Sequence, residues 1–278
     1  MIEVYKQYTQ EQLDREYNMR LSVPHYADWF EKWEQESRRV QLNYPNARDI
    51  KYGSTEGECL DIFPAGKPGS KVMIYIHGGY WHLLDKELFH FLCPAFYDKN
   101  TVSVFVNYPL APAVTMDQIV ASILLAIRWI QQTIKDHNGD PSKLYIMGHS
   151  AGAHLAAMLL TIDSFAFLKG AILLSGLFNL EPIRHTYLNA VLKLDAPAAM
   201  RNSPVFLKRA VSCPVLLFTG AEETRELKNQ SDELFQRWKQ GQGPIERMQI
   251  PALNHYSILD AVVDKNSTLH ASIFRLMH

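Results

Sequence analysis

One short stretch constrains the fold more than any other part of the sequence. Residues 143–149 are mostly apolar and predict a strand, whereas residues 151–162 are rich in Ala and Leu and predict a helix. Between them lies the pattern Gly-x-Ser-x-Gly, formed by Gly148, Ser150 and Gly152. Such a corner lifts the serine hydroxyl above the edge of a sheet, and its glycines allow the sharp turn and close packing of helix on strand. The stretch indicates a nucleophilic serine, and the alternative is a glycine turn without chemistry.

Strand-like and helix-like segments alternate along most of the chain. Continuous apolar runs are typical of parallel strands that are buried on both faces. The predicted strands are 51–53, 59–63, 72–76, 102–106, 143–149, 170–174, 214–219 and 245–250. The predicted helices are 86–97, 115–134, 151–162, 224–240 and 256–277. The first two strands suit an antiparallel hairpin, and the rest predict an α/β fold, a three-layer αβα sandwich around a mostly parallel eight-stranded sheet.

The chain length of 278 residues suits one domain, residues 1–278, with two additions. Residues 177–212 break the alternation with short segments and predict a small cap. Residues 9–42 predict a helical segment with aromatic residues on one face, at Tyr26, Trp29, Phe30 and Trp33. Two placements of this segment remain open: packing on the edge of the domain, which we favour, or covering the mouth of the active site and shaping its pocket.

Composition excludes several classes of protein. The net charge is −1, and 47% of residues are hydrophobic, so neither nucleic acid nor membrane is expected as a partner. No apolar run approaches the ~20 residues of a membrane span, and residues 1–7 lack a signal-peptide core. Cys59, Cys93 and Cys213 suit reduced core positions. We expect a cytoplasmic enzyme whose partner is a small-molecule substrate, without metal or cofactor; a homodimer is compatible with the sequence.

A serine nucleophile requires a base, and the base requires an acid behind it. Around such a corner the order along the chain is serine, acid, histidine. His255 lies in the loop after the last predicted strand, where the base is expected. The acid should follow strand 214–219, where the loop offers glutamates and no aspartate. We favour Glu223 over Glu222, with Glu226 as an outside candidate; the alternative is that these are charges at a helix N-terminus.

The loop after strand 72–76 predicts an oxyanion hole. Consecutive glycines there let backbone N–H groups face a cavity without obstruction by side chains. We assign Gly79 and Tyr80 as donors with Gly78 next, and Ala151 N–H at the start of the elbow helix as the complementary donor. His77 is expected to orient this loop by hydrogen bonding.

Several stretches resemble a known family. His77–Trp81 (HGGYW), Tyr108–Pro112 (YPLAP) and Gly148–Gly152 (GHSAG) are similar to the hormone-sensitive-lipase branch of the α/β hydrolases. Val114–Gln118 (VTMDQ) and Asn202–Pro204 (NSP) are more discriminating and resemble the kynurenine formamidases, or arylformamidases, of animals and fungi. The resemblance covers nearly the whole chain.

This resemblance implies an α/β-hydrolase fold and cytosolic hydrolysis of N-formyl-L-kynurenine to L-kynurenine and formate, through a formyl group on Ser150. It also implies aromatic walls around the aryl ring of the substrate. The candidates for these walls are Tyr80, Trp81, Phe178 and Tyr187, and each of them could equally belong to the core of the cap. The family carries Asp where this chain has Glu223, which is a departure. A carboxylesterase for short-chain or aryl esters and a non-catalytic binding protein on the same scaffold are the alternatives.

Overall fold

The computed structural model describes residues 3–162 and 165–278, so positions 1–2 and 163–164 of the predicted domain lie outside the described residues. The strands are β1 (Glu3–Tyr5), β2 (Tyr8–Thr9), β3 (Ala47–Lys51), β4 (Cys59–Phe63), β5 (Ser70–Ile76), β6 (Thr101–Val106), β7 (Gly139–His149), β8 (Leu168–Leu174), β9 (Val215–Gly220) and β10 (Ile245–Ile250). The α-helices are α1 (Gln10–Tyr17), α2 (Met19–Ser22), α3 (Tyr26–Asn43), α4 (Cys93–Tyr97), α5 (Met116–Thr133), α6 (Ala151–Leu159), α7 (Glu181–Arg184), α8 (Asn189–Leu192), α9 (Ala196–Arg201), α10 (Arg225–Trp238), α11 (Ser257–Val263) and α12 (Thr268–Met277). Short 3₁₀ helices span Lys86–Leu92, Ile134–His137 and Pro204–Phe206.

The main sheet has eight strands in the order β10-β9-β8-β7-β5-β6-β4-β3. Pairing is parallel from β10 to β6, while β4 runs antiparallel to both β6 and β3. Nearly every residue of β6, β8 and β9 is buried, which requires cover on both faces of the sheet. The predicted α/β sandwich with its hairpin edge is therefore confirmed.

The corner between β7 and α6 is tight because two glycines remove obstructing atoms. A Cβ on Gly148 would lie 2.2 Å from the carbonyl oxygen of Gly152, and one on Gly152 would lie 2.0 Å from the carbonyl oxygen of Ile76. Ser150 takes the left-handed φ of 56° at the corner, and its N–H donates to the Leu174 carbonyl over 2.8 Å. This hydrogen bond to β8 holds the serine in its strained backbone conformation.

The N-terminal helices pack on the domain and also reach the site. In α3, Trp33 is buried, and the Ser37 hydroxyl donates to the Leu88 carbonyl in the 3₁₀ helix beneath it. The preceding helices bring Met19 and Arg20 to the cavity that contains Ser150, which Phe30 and Trp33 also line. The segment therefore packs on the edge of the domain, as the favoured prediction states, and it also lines the active-site cavity, as the alternative states.

The cap is a chain of short helices, α7 to α9, tied to the body of the domain. The Phe178 N–H donates to the Gln230 side chain in α10, and the Asn202 side chain donates to Asp117 at the start of α5. His154 in α6 lies 2.7 Å from the Asn202 carbonyl. These contacts fix the cap directly above the elbow helix.

Two predicted helices differ in detail from the structure. Residues 86–97 form a 3₁₀ helix followed by one turn of α-helix. The C-terminal helix, predicted as 256–277, is two helices, α11 and α12. The Asp264 side chain accepts the Asn266 N–H, and the Ser267 hydroxyl caps α12 by accepting the His270 N–H. Such local side-chain bonds end one helix and start the next.

Candidate active site

The carboxyl ends of the parallel strands converge on one cavity of about 270 Å³. Ser150 reaches it from the corner after β7, His255 from the loop after β10, and Gly78 and Gly79 from the loop after β5. Open parallel sheets form their ligand crevices at this edge. The apolar part of the wall is made by Met19, Phe30, Trp33, Leu83, Leu84, Phe89, Leu188 and Tyr256.

Among the three candidate glutamates, Glu223 is the one that meets His255. Its Oε2 lies 3.1 Å from His255 Nδ1, and the carboxylate is buried. Glu222 is exposed, and Glu226 instead accepts the hydroxyl of Tyr8 over 3.0 Å. A carboxylate at Nδ1 fixes the histidine tautomer and stabilises the imidazolium that forms when Nε2 takes a proton. The structure therefore brings together the serine, histidine and glutamate favoured from the sequence.

The other oxygen of Glu223 is held by two donors. Glu223 Oε1 accepts the Ser175 hydroxyl over 2.5 Å and the Gly220 N–H over 2.6 Å. Ser175 directly follows β8, is fully buried, and has a φ of 51°. Sequence reasoning did not assign Ser175 this role. The available signal was a serine directly after a buried strand, next to the strand that carries the acid.

A second histidine supports the first. His149 Nε2 donates to the backbone carbonyl of His255 over 2.8 Å, and the two ring centroids lie 4.6 Å apart. Burial, and then the charge of His255, lower the pKa of His149 well below its ordinary value, so this ring is neutral. Within the described chain no hydrogen bond joins the Ser150 hydroxyl to the His255 ring. In unliganded enzymes such catalytic bonds are often long and tighten with substrate.

The predicted oxyanion loop has an unusual backbone. Gly79, Tyr80 and Trp81 have φ angles of 110°, 48° and 60°. A Cβ on Gly79 would lie 2.1 Å from the Leu83 carbonyl oxygen, so only glycine fits there. The backbone N–H groups of Gly78, Gly79, Tyr80 and Ala151 donate to no other group among the residues that the structure describes. These donors have no partner among the described residues and therefore stay candidates for the predicted oxyanion hole.

His77 orients this loop from below. Its ring nitrogens lie 2.7 Å from the Gly78 carbonyl and 2.9 Å from the Asn107 side-chain oxygen. The ring stacks on Tyr108 with centroids 4.5 Å apart, and burial lowers its pKa. His77 is buried beneath the loop and does not line the cavity, as expected of an orienting residue.

The four predicted aromatic wall residues divide into two pairs. Tyr80 and Tyr187 line the cavity. Trp81 and Phe178 do not: both are fully buried, and the Trp81 indole N–H donates to His154 Nδ1 over 3.1 Å. For Trp81 and Phe178 the prediction of a substrate wall is therefore wrong, because these side chains fill the core between cap and elbow helix.

The described residues show neither a metal centre nor a membrane-spanning helix, and two of the cysteines are unreactive. In residues 3–162 and 165–278, no group of three or more His, Cys, Asp and Glu side chains is placed to hold a metal ion. The same ranges contain no helix with the length and hydropathy of a membrane span. Burial raises the pKa of the Cys93 thiol to about 12 and that of Cys213 to about 11, so both are inert near neutral pH.

Comparison with known proteins agrees with this geometry. Residues 73–259 match a family described by the alpha/beta hydrolase fold. The chain is 34% identical to a kynurenine formamidase of Danio rerio over 82% of this chain and 81% of that protein, and 32% identical to one of Salmo salar with the same coverage. Among solved structures, a candidate thioesterase from Silicibacter sp. superposes with a TM-score of 0.84 at 25% identity, covering 95% of this chain and 99% of that one. The chain therefore belongs to the α/β hydrolases and is a kynurenine formamidase-like enzyme of that family.

Proposed function

We propose that this enzyme hydrolyses an aryl formamide, N-formyl-L-kynurenine, to L-kynurenine and formate. The observation that carries the proposal is that Ser150 and His255 line one small cavity with Gly78–Tyr80, while the buried Glu223 contacts His255 from behind. The two formamidase relatives supply the choice of substrate. The reaction would belong to tryptophan degradation in the cytoplasm.

In the first half-reaction Ser150 Oγ attacks the formyl carbon while His255 Nε2 takes the hydroxyl proton. Glu223 stabilises the resulting imidazolium through its bond to Nδ1. Negative charge develops on the formyl oxygen, where the N–H groups of Gly79, Tyr80 and Ala151 receive it. Donors so placed lower the barrier by roughly 3 kcal/mol each.

Collapse of this intermediate breaks the C–N bond. The imidazolium of His255 donates its proton to the departing nitrogen, so the amine leaves neutral and a formyl ester remains on Ser150. Water then attacks the same carbon, and His255 accepts its proton. Breakdown passes that proton from His255 to Ser150 and releases formic acid, which ionises to formate in solution and leaves the enzyme unchanged.

The space beside Ser150 favours a small acyl group. A Cβ on Gly78 would lie 3.0 Å from the Ser150 Cβ, so the oxyanion loop and the nucleophile are already in near contact. The cavity volume of about 270 Å³ must also hold the leaving group. A formyl group has no carbon beyond its carbonyl and therefore fits the acyl side best.

Turnover of N-formyl-L-kynurenine by the purified protein tests the proposal. We expect formation of L-kynurenine by the wild type and a loss of about 10⁶-fold in kcat for Ser150→Ala and for His255→Ala, as for other such triads. A wild-type protein that cleaves p-nitrophenyl acetate and leaves the formamide intact would refute the substrate.

The second candidate is a carboxylesterase that acts on short-chain or aryl esters. The structural neighbour described as a candidate thioesterase favours it, because thioester and ester hydrolysis need the same nucleophile and oxyanion hole. The two candidates are separated by the ratio of kcat/KM for N-formyl-L-kynurenine to that for phenyl formate and phenyl acetate.

A further inference from the structure

The cavity holds one group that the chemistry at Ser150 does not use. Arg20, in α2, lines the same cavity as Ser150 and His255. Its guanidinium lies 5.3 Å from the ring centroid of Tyr26, which positions it by a cation–π contact. Across the described residues, no carboxylate lies within 4.0 Å of this guanidinium, whereas Arg15 in the preceding helix pairs with Glu11 at 2.7 Å.

Apart from the catalytic His255, the other described residues of the cavity wall carry no charge near neutral pH. No Asp or Glu side chain is among the described residues that line it. Burial, and then the charge of Arg20, lower the pKa of His82, and burial lowers that of His149, so both imidazoles are neutral near pH 7. Burial raises the pKa of Tyr187 and Tyr256, which keeps both phenols protonated. Asp14 in α1 is not among the lining residues, and its carboxylate accepts the Tyr187 N–H over 2.8 Å. Apart from the catalytic His255, Arg20 is therefore the one cationic side chain among the described residues that line the cavity.

We propose that Arg20 binds a carboxylate on the leaving-group side of the substrate and thereby determines specificity. An arginine fork pairs with a carboxylate through two parallel hydrogen bonds, a geometry that a lysine cannot reproduce. The proposal rests on the proposed hydrolysis of an aryl formamide and narrows the substrate class to formamides that carry an acidic side chain. N-formyl-L-kynurenine meets this requirement through its amino-acid group.

The expected effect is moderate because Arg20 is exposed at the cavity mouth. Hydrogen bonds to charged groups contribute more than neutral ones, but solvent weakens an exposed pair. We expect Arg20→Gln to lower kcat/KM for N-formyl-L-kynurenine by about tenfold, mostly through KM. The Arg20→Lys variant should fall in between, because it keeps the charge and loses the fork. Added salt should raise the wild-type KM for this substrate and leave that of the variant unchanged.

The test compares two substrates and two arginines. The neutral substrate is 2′-formamidoacetophenone, which keeps the ring, the ketone and the formamide and lacks the amino-acid group. Arg15→Gln is the matched control, since Arg15 is exposed and does not line the cavity. Support requires that Arg20→Gln lose activity on N-formyl-L-kynurenine alone and that Arg15→Gln resemble the wild type on both substrates. An equal loss on both substrates, or no loss on the acidic one, would overturn the role of Arg20.

Failure of the proposed function gives a different pattern. If the wild type hydrolyses neither formamide but cleaves aryl acetates, the same comparison uses 4-acetoxyphenylacetate and its neutral amide. A preference for the acid that Arg20→Gln abolishes would support the carboxylate site even though the formamide is wrong. No preference between acid and amide would refute it.

Discussion

Replacing Glu223 by Gln should disable the enzyme through the tautomer of His255. The substitution keeps the size of the side chain, so its orientation is set by the groups that Glu223 meets. Ser175 and Gly220 both donate to one oxygen, and only the other oxygen faces His255. A glutamine that turned its NH₂ toward Gly220 would leave two buried donors without acceptors, at a cost of roughly 2–6 kcal/mol. The NH₂ will therefore face His255.

With an NH₂ at Nδ1, the neutral imidazole must carry its proton on Nε2. The histidine then has no lone pair with which to accept the Ser150 proton. The comparable change of aspartate to asparagine in a serine protease lowers kcat by about 10⁴-fold, or about 5.5 kcal/mol. We expect a loss of about 10³- to 10⁴-fold in kcat here, smaller than that of Ser150→Ala.

The assay is steady-state hydrolysis of N-formyl-L-kynurenine, with thermal unfolding of each variant to establish that it is folded. Glu222→Gln is the matched control, because Glu222 is exposed and lies next in sequence. It should retain at least half of the wild-type rate. A folded Glu223→Gln variant with more than a tenth of the wild-type kcat, or a crippled Glu222→Gln variant, would refute the tautomer reasoning.

Three further predictions concern positions around the triad. Ser175→Ala should lower kcat about tenfold, because Glu223 loses one of two donors; an unchanged kcat would show that the Gly220 N–H alone suffices. Burial lowers the pKa of His154 to about 4, so the folded protein resists a proton that the unfolded chain takes up near pH 6.5. The free energy of unfolding should therefore fall as the pH drops, and this group should account for about 2 kcal/mol of the fall at pH 5. In His154→Gln, the decrease in unfolding free energy between pH 7 and pH 5, measured by urea unfolding, should be smaller by about that amount. Gly152→Ala should lower the free energy of unfolding by about 3 kcal/mol, because the new Cβ would lie 2.0 Å from a backbone oxygen. In the control Gly66→Ala, the new Cβ has no neighbour closer than 3.7 Å, so the free energy should change by less than about 0.5 kcal/mol. Similar values for the two variants would contradict this reasoning.

The sequence was sufficient for those parts of the site that follow from strand order. Parallel strands end at one edge, so residues just after β7, β9 and β10 must lie near one another, and this predicts that Ser150, Glu223 and His255 meet. The loop position favoured Glu223 among three glutamates, and the contact of Glu223 with His255 in the structure agrees with that preference. The elbow glycines were predictable because the backbone approach they permit is a property of the turn itself.

Other features depended on packing that no periodicity encodes. Trp81 and Phe178 have the chemistry of a substrate wall, but both are buried away from the cavity. The backbone at Trp81 has a φ of 60°, and its indole donates to His154, which is remote in sequence. Ser175 acts through a side-chain bond that exists only because β8 lies beside β9. The α11–α12 break arises from short-range bonds at Asp264 and Ser267 within a stretch whose apolar pattern continues.

The position of Arg20 and Phe30 has an evolutionary consequence. Both line the cavity, and both precede residue 73, where the match to the α/β-hydrolase family begins. Ser150, Glu223 and His255 follow strands of the main sheet, whereas Arg20 and Phe30 reach the same cavity from helices that precede that sheet in sequence. If Arg20 determines specificity as proposed, we expect substitutions at these lining positions to change substrate choice and to leave the sheet and its strained corner intact. On that proposal, a lineage could acquire new substrates through residues of α2 and α3 while its catalytic residues stay the same.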